Sequence, residues 1–122
     1  MKLDYNCIRH ILLTIESDDS QKLTVSSFCT DEYPPKIISG HIQCLLDTAY
    51  IETGMPMLFI GSKYPDFIVN RITMQGHEYL NTVRDNKVWA ETLNKIGKSA
   101  ASVSLEIVKD VAASIIKASL GI

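Results

Sequence analysis

Cys7-x-x-His10 and His41-x-x-Cys44 are the residues of this chain best suited by type to hold a metal. Residues three apart share one side of a helix, and two such pairs could surround a zinc ion tetrahedrally. The spacing is not that of a zinc finger or ribbon, however, and both segments also carry core-type apolar residues. Buried thiols and core or capping imidazoles account for all four without an ion. No metal and no cofactor is expected. Other reactive types are scattered. His77 and Glu78 are neighbours that point different ways on a helix. No serine lies in a Gly-x-Ser-x-Gly context, and no Gly-rich loop could cradle a phosphate. The chain is expected not to be an enzyme.

Positioning these residues requires helices with a short sheet between them. Asp4 can cap a helix to Ser17, with Ile8, Ile11, Leu12 and Ile15 at helical spacing. Leu23-Thr24-Val25 is a strand candidate, and Ser26 to Pro35 reads as irregular. Pro34-Pro35 suits a helix entrance. A helix over 36–49 buries Ile38, Ile42, Leu45, Leu46 and Ala49 and turns Lys36, Ser39, Gly40, Gln43 and Asp47 outward. Tyr50-Ile51-Glu52 reads as the helix exit. Residues 57–60 and 67–72 are rich in strand formers and flank a turn-forming segment, 61–66. Thr73 and Asp85 are candidate N-caps for the next two helices, the second ending at Gly97. The last helix, over 102–120, spans roughly 27 Å. Its apolar face carries Leu105, Val108, Val111, Ala112, Ile115 and Ile116.

Helix, hairpin, helix in this order is the back half of a winged helix-turn-helix. The fold expected is therefore α+β: a winged helix-turn-helix variant with a small β-hairpin wing and an additional C-terminal helix. Residues 1–97 would form the winged-helix-like domain. Residues 98–122 would form a packing or dimerisation element.

That fold suggests a surface that meets nucleic acid. Helix 36–49 would present Lys36, Ser39 and Gln43 to a groove, and Gln43 is the one good reader of base edges among them. Lys63 and Tyr64 would sit at the wing tip, with Arg71 on the far strand, where a wing meets phosphates. Asp47 and Asp66 oppose this, and a solvated helix face or plain surface hairpin explains the same residues. The final helix must bury its apolar face. Either it folds back on its own chain, or Leu105, Val108, Ala112, Ile115 and Ile116 form the seam of a homodimer, the arrangement expected here.

The charge balance sharpens the choice of partner. The 122 residues carry a net charge of −2, with a pI of about 5.9. Residues 1–33 hold three bases against six acids, residues 34–75 three against three, and residues 76–122 six against five. No segment is a basic stripe, which weighs against a dedicated nucleic-acid binder. The hydrophobic fraction, 46%, is ordinary for a globular domain. No apolar run is long enough to span a membrane, and no signal-peptide pattern opens the chain. Cys7, Cys29 and Cys44 are odd in number and irregularly spaced, as reduced thiols in a cytoplasmic protein would be.

Several pieces together resemble the family known as domain of unknown function 2513. They are Leu3-Asp4, Ile8-Arg9, Ile11-Leu12-Leu13 and Ile15-Glu16, then His41-Ile42, Leu45-Leu46-Asp47 and Tyr50-Ile51-Glu52. Arg71-Ile72-Thr73, Gly76-His77-Glu78-Tyr79-Leu80, Val83-Arg84-Asp85, Val88-Trp89 and the run 102–109 complete the match. The Gly-His-Glu-aromatic-Leu and Arg-Asp…Val-Trp pieces are the more specific. The resemblance implies a winged-helix variant of the kind common in phages and prophages, with no assigned activity or cofactor. Tyr50 stands where many relatives have Gly at the helix exit. The function expected is a non-enzymatic accessory or regulatory protein that binds double-stranded DNA through the winged helix. The alternative is an adaptor that uses the same scaffold to bind a host or phage protein.

Overall fold

The computed structural model describes residues 1–18, 20, 22–54, 63–97 and 103–122. These form six helices and a two-stranded antiparallel hairpin, a mixed α+β fold. In order they are α1 (Tyr5–Ser17), α2 (Val25–Phe28), α3 (Pro35–Asp47), β1 (Ile51–Thr53), β2 (Val69–Ile72), α4 (Met74–Val83), α5 (Asn86–Gly97) and α6 (Leu105–Leu120). The chain divides into two compact units, Met1–His77 and Glu78–Ile122. The expected division at residue 97 falls inside the second unit. No helix of the described residues is long and apolar enough to cross a membrane.

In the first unit, α1 starts as expected: Asp4 accepts a hydrogen bond from the Cys7 N–H at 3.0 Å. Its buried stripe is Cys7, Ile8, Ile11, Leu12 and Ile15. The segment read as irregular contains a single helical turn, α2. Asp66 Oδ1 accepts from the Val25 N–H at 3.0 Å and from the Phe67 N–H at 2.8 Å, so the chain before β2 caps that turn. Leu23 makes one antiparallel bridge, to Val69, and no longer strand.

The hairpin differs from expectation. Its first strand is Ile51–Thr53, in the segment read as a helix exit. The expected strand 57–60 lies outside the described residues. Ile51 pairs with Ile72 and Glu52 with Arg71. After an irregularity, Thr53 pairs with Val69. Ile51, Val69 and Ile72 are buried, while Glu52 and Arg71 face out.

The α3 face also needs correction. Ile38, Ile42 and Leu45 are buried as expected, but so is Ser39, at 3% exposure. Its hydroxyl donates to the Pro65 carbonyl at 2.6 Å. A short side chain with an internal acceptor can lie inside, where its type alone suggested the surface. Leu46 is half-buried and Ala49 exposed, because the helix ends at Asp47.

That ending is a Schellman motif. The Tyr50 N–H donates to the Leu45 carbonyl and the Ala49 N–H to the Leu46 carbonyl. The left-handed residue this needs is Ala49, with φ 60°, and not Tyr50. The start of α4 grips the same corner. Thr73 donates its N–H to the Tyr50 carbonyl at 2.9 Å and its hydroxyl to the Ala49 carbonyl at 2.6 Å. The same hydroxyl accepts from the Gly76 N–H. A Cβ on Gly76 would overlap the Tyr50 carbonyl oxygen and come within 2.6 Å of Ile72 Cγ2.

In the second unit, Asp85 caps α5 by accepting from the N–H groups of Lys87 and Val88. Ser104 caps α6, and Gly121, at φ 77°, ends it. The two helices pack on each other. Trp89, Thr92 and Ile96 of α5 are buried, as are Leu105, Val108, Ala112 and Ile115 of α6. This corrects the expected dimer seam. Four of its five residues are covered within their own chain, and Ile116 is half-buried. α5 is itself amphipathic and supplies the partner face.

The α3 exit yields opposite outcomes for two small substitutions. Ala49→Gly is expected to raise the unfolding free energy by about 1 kcal/mol. It removes the left-handed penalty of a Cβ and costs some chain entropy. Gly76→Ala is expected to lower it by about 2 to 3 kcal/mol, because a backbone carbonyl must move. Urea denaturation of the two variants measures both.

Candidate nucleic-acid or protein interface

The two Cys/His pairs meet only at Cys7 and Cys44, and each imidazole is taken up by backbone partners. His41 is fully buried, and both its ring nitrogens have backbone partners. Nε2 accepts from the Asp4 N–H at 2.9 Å, so Nδ1 carries the proton and donates to the Ile37 carbonyl at 2.8 Å. His10 Nε2 donates to the Phe28 carbonyl at 2.8 Å, and its ring stacks on Tyr33 with centroids 5.6 Å apart. The two imidazoles are ties between elements. His10 joins α1 to the end of α2, and His41 joins α3 to the start of α1. Among the described residues, no group of three or more His, Cys, Asp or Glu is arranged to hold a metal.

The nucleic-acid candidates are spread over α3, the chain before β2 and β2 itself. Lys36 is exposed in the first turn of α3, and Gln43 two turns on. The Gln43 amide donates to Asp47 Oδ1 at 3.1 Å, an i, i+4 pair along the helix. Arg71 is held by a forked contact. Its Nε donates to Glu52 Oε2 and its Nη2 to Glu52 Oε1, both at 3.0 Å. This pair is formed by the Glu52–Arg71 register of the hairpin. Lys63 is exposed and Tyr64 half-buried. Ser39 is the one candidate withdrawn from the surface. Asp31 and Glu32 are exposed immediately before α3, in a loop closed by reciprocal backbone hydrogen bonds between Thr30 and Tyr33. Sequence reasoning missed the Glu52 partner of Arg71, since nothing but strand register brings residues nineteen apart together.

A second surface feature is a cleft of about 300 Å³ beside β2, lined by Ile15, Glu16, Asp18, Asn70, Arg71, Ile72 and His77. It was not foreseen either, since it arises from the end of α1 lying beside β2.

The thiols are set by their surroundings toward inertness. Burial, then the charge of Asp4 and the neighbouring Cys44, push the Cys7 thiol up to about 12. Burial and Asp47 raise Cys44, and burial and Asp66 raise Cys29. A raised thiol favours its protonated form in the fold. Cys7 therefore contributes stability that is whole below its ordinary value of 9.0 and is lost between there and about 12. Unfolding free energy measured by urea is expected to fall over that window. In Cys7→Ala the slope should be shallower by as much as about 1.4 kcal/mol per pH unit, the limit for one proton.

A protein of Haemophilus influenzae, described as an uncharacterized protein, is 28% identical over 116 residues, covering 95% of this chain and 96% of that protein. No solved structure matches the chain significantly. A family model matches residues 2–103, so that α1 through α5 and both strands fall within it. The chain belongs to that family, described as "Hypothetical protein (DUF2513)".

Proposed function

We propose that the chain is a non-enzymatic accessory or regulatory protein on a winged-helix scaffold, and that the outer face of α3 and the hairpin engages a protein. The winged-helix reading is supported by element order. A helix, the Leu23 bridge, the short α2, the longer α3 and then the hairpin occur in that sequence, with Val69 bridged to Leu23. The setting proposed for it is a phage or prophage, as the family resemblance implies.

The choice of a protein partner rests on the forked Arg71–Glu52 contact. Arg71 is the strongest candidate for a phosphate contact on this face, and its two outward donors already point at a carboxylate. Gln43, the best base reader, is engaged by Asp47. The acids Asp31 and Glu32 stand beside the entrance of α3. The first unit holds six bases against nine acids in all, and a duplex would meet net repulsion there.

The reading of duplex DNA as the partner has one observation in its favour: Lys36 and Lys63 are exposed at the two places where a winged helix meets the backbone. Titrating the chain with pooled random duplexes at two salt concentrations separates the readings. For a protein-binding face, no saturable duplex binding is expected at physiological salt, and the chain should retain a protein partner in a pull-down that Glu52→Lys weakens. Duplex binding whose affinity falls steeply with salt would overturn this. Gln43→Ala would then change sequence preference, and Lys63→Ala would weaken all sequences alike.

A further inference from the structure

With Leu105, Val108, Ala112 and Ile115 covered in the second unit, the flank of α6 beside them still carries Ile107, Val111, Ser114 and Ala118. Ile107 is 47% exposed, Val111 half-buried, and Ser114 and Ala118 exposed. Their spacing of four, three and four residues makes a continuous seam along one side of the helix. Asp110 and Lys117 border this seam on the side away from the buried face, both exposed and seven residues apart.

We propose that α6 pairs with α6 of a second copy, antiparallel about a two-fold axis, through this flank. Two features single out a second copy. First, the seam is self-complementary in size. When antiparallel copies are layered across it, Ile107 meets the partner's Ala118 and Val111 meets the partner's Ser114, so each larger side chain faces a smaller one. Second, the bordering charges are self-complementary in that same register. Antiparallel helices bring together the residues that border the seam on one side. Asp110 then faces the partner's Lys117, and Lys117 faces the partner's Asp110, giving two ion pairs related by the axis. In a parallel pairing Asp110 and Lys117 of the two copies would lie on opposite flanks of the seam, and neither ion pair could form. The helix dipoles also oppose one another in the antiparallel arrangement. The seam is one helix long, at the small end of specific interfaces, so association should be weak, with half-dimerisation at about 100 μM.

Sedimentation equilibrium of the full chain tests this. The mass should rise from 13.6 kDa toward twice that value as concentration is increased through the high micromolar range. Ile107→Glu should abolish the rise. Asp110→Lys should weaken association at least fivefold by setting lysines against lysines, as should Lys117→Asp by setting acids against acids. The double exchange Asp110→Lys with Lys117→Asp should restore it, which a merely structural role of either residue would not produce. All three positions are exposed and lie outside the core, and circular dichroism checks that each variant is folded. A chain that stays monomeric at 1 mM (about tenfold above the expected midpoint) overturns the proposal. So does a dimer unaffected by Ile107→Glu, or a double exchange no tighter than either single one. A monomer that sediments with phosphatidylcholine–phosphatidylglycerol vesicles would assign the flank to a lipid surface instead.

Discussion

The neutral imidazole of His41 is the contact on which the first unit depends. It is fully buried, it accepts from the backbone of Asp4 and it donates to the backbone of Ile37. The N–H it satisfies belongs to the residue that caps α1, so the start of α1 is registered against the middle of α3. A buried ring between two backbone groups has no water to replace it, and losing it would leave both groups unsatisfied. Other ties repeat the pattern. His10 reaches the end of α2, Ser39 the chain at Pro65, Asp66 the start of α2, and Thr73 the exit of α3. A small unit with a four-residue helix and strands of three and four residues buries limited apolar area. Side-chain bonds to backbone give these short elements one arrangement among many of similar packing.

Much of this framework was legible where the signal is local. Asp4, Thr73 and Asp85 announce three helix starts, and the helical spacing of Ile8, Ile11, Leu12 and Ile15 marks a buried face. What stayed hidden depended on distant partners. A three-residue strand directly after a helix has too few residues to show a period of two, so Ile51–Thr53 passed as a connection. The hydroxyl of Ser39 could be placed inside only once Pro65 was known to lie opposite. The amphipathic face of α6 was plain, but amphipathicity does not say which surface covers it, and α5 proved to be that surface.

The same limit governs the candidate interface. Residue types on α3 and β2 suggested donors waiting for a ligand. The hairpin register and the helical repeat gave two of those donors internal acceptors, Glu52 and Asp47. Both ion-pair and amide contacts are exposed, so each contributes modestly to stability. Their larger effect is on the potential of the surface. A guanidinium shared with a carboxylate presents a dipole where the residue name alone implies a full positive charge.

The grip of Thr73 and Gly76 on the Ala49–Tyr50 corner has an architectural meaning. It fastens the two ends of the hairpin to each other at its base, beside the Ile51–Ile72 pair. The spacing between the exit of α3 and the start of α4 is thereby set at this corner, while the chain before β2 is tied separately to α3 through Ser39 and Pro65 and to α2 through Asp66. A change at Thr73 is therefore felt at the exit of α3, twenty-four residues away in sequence.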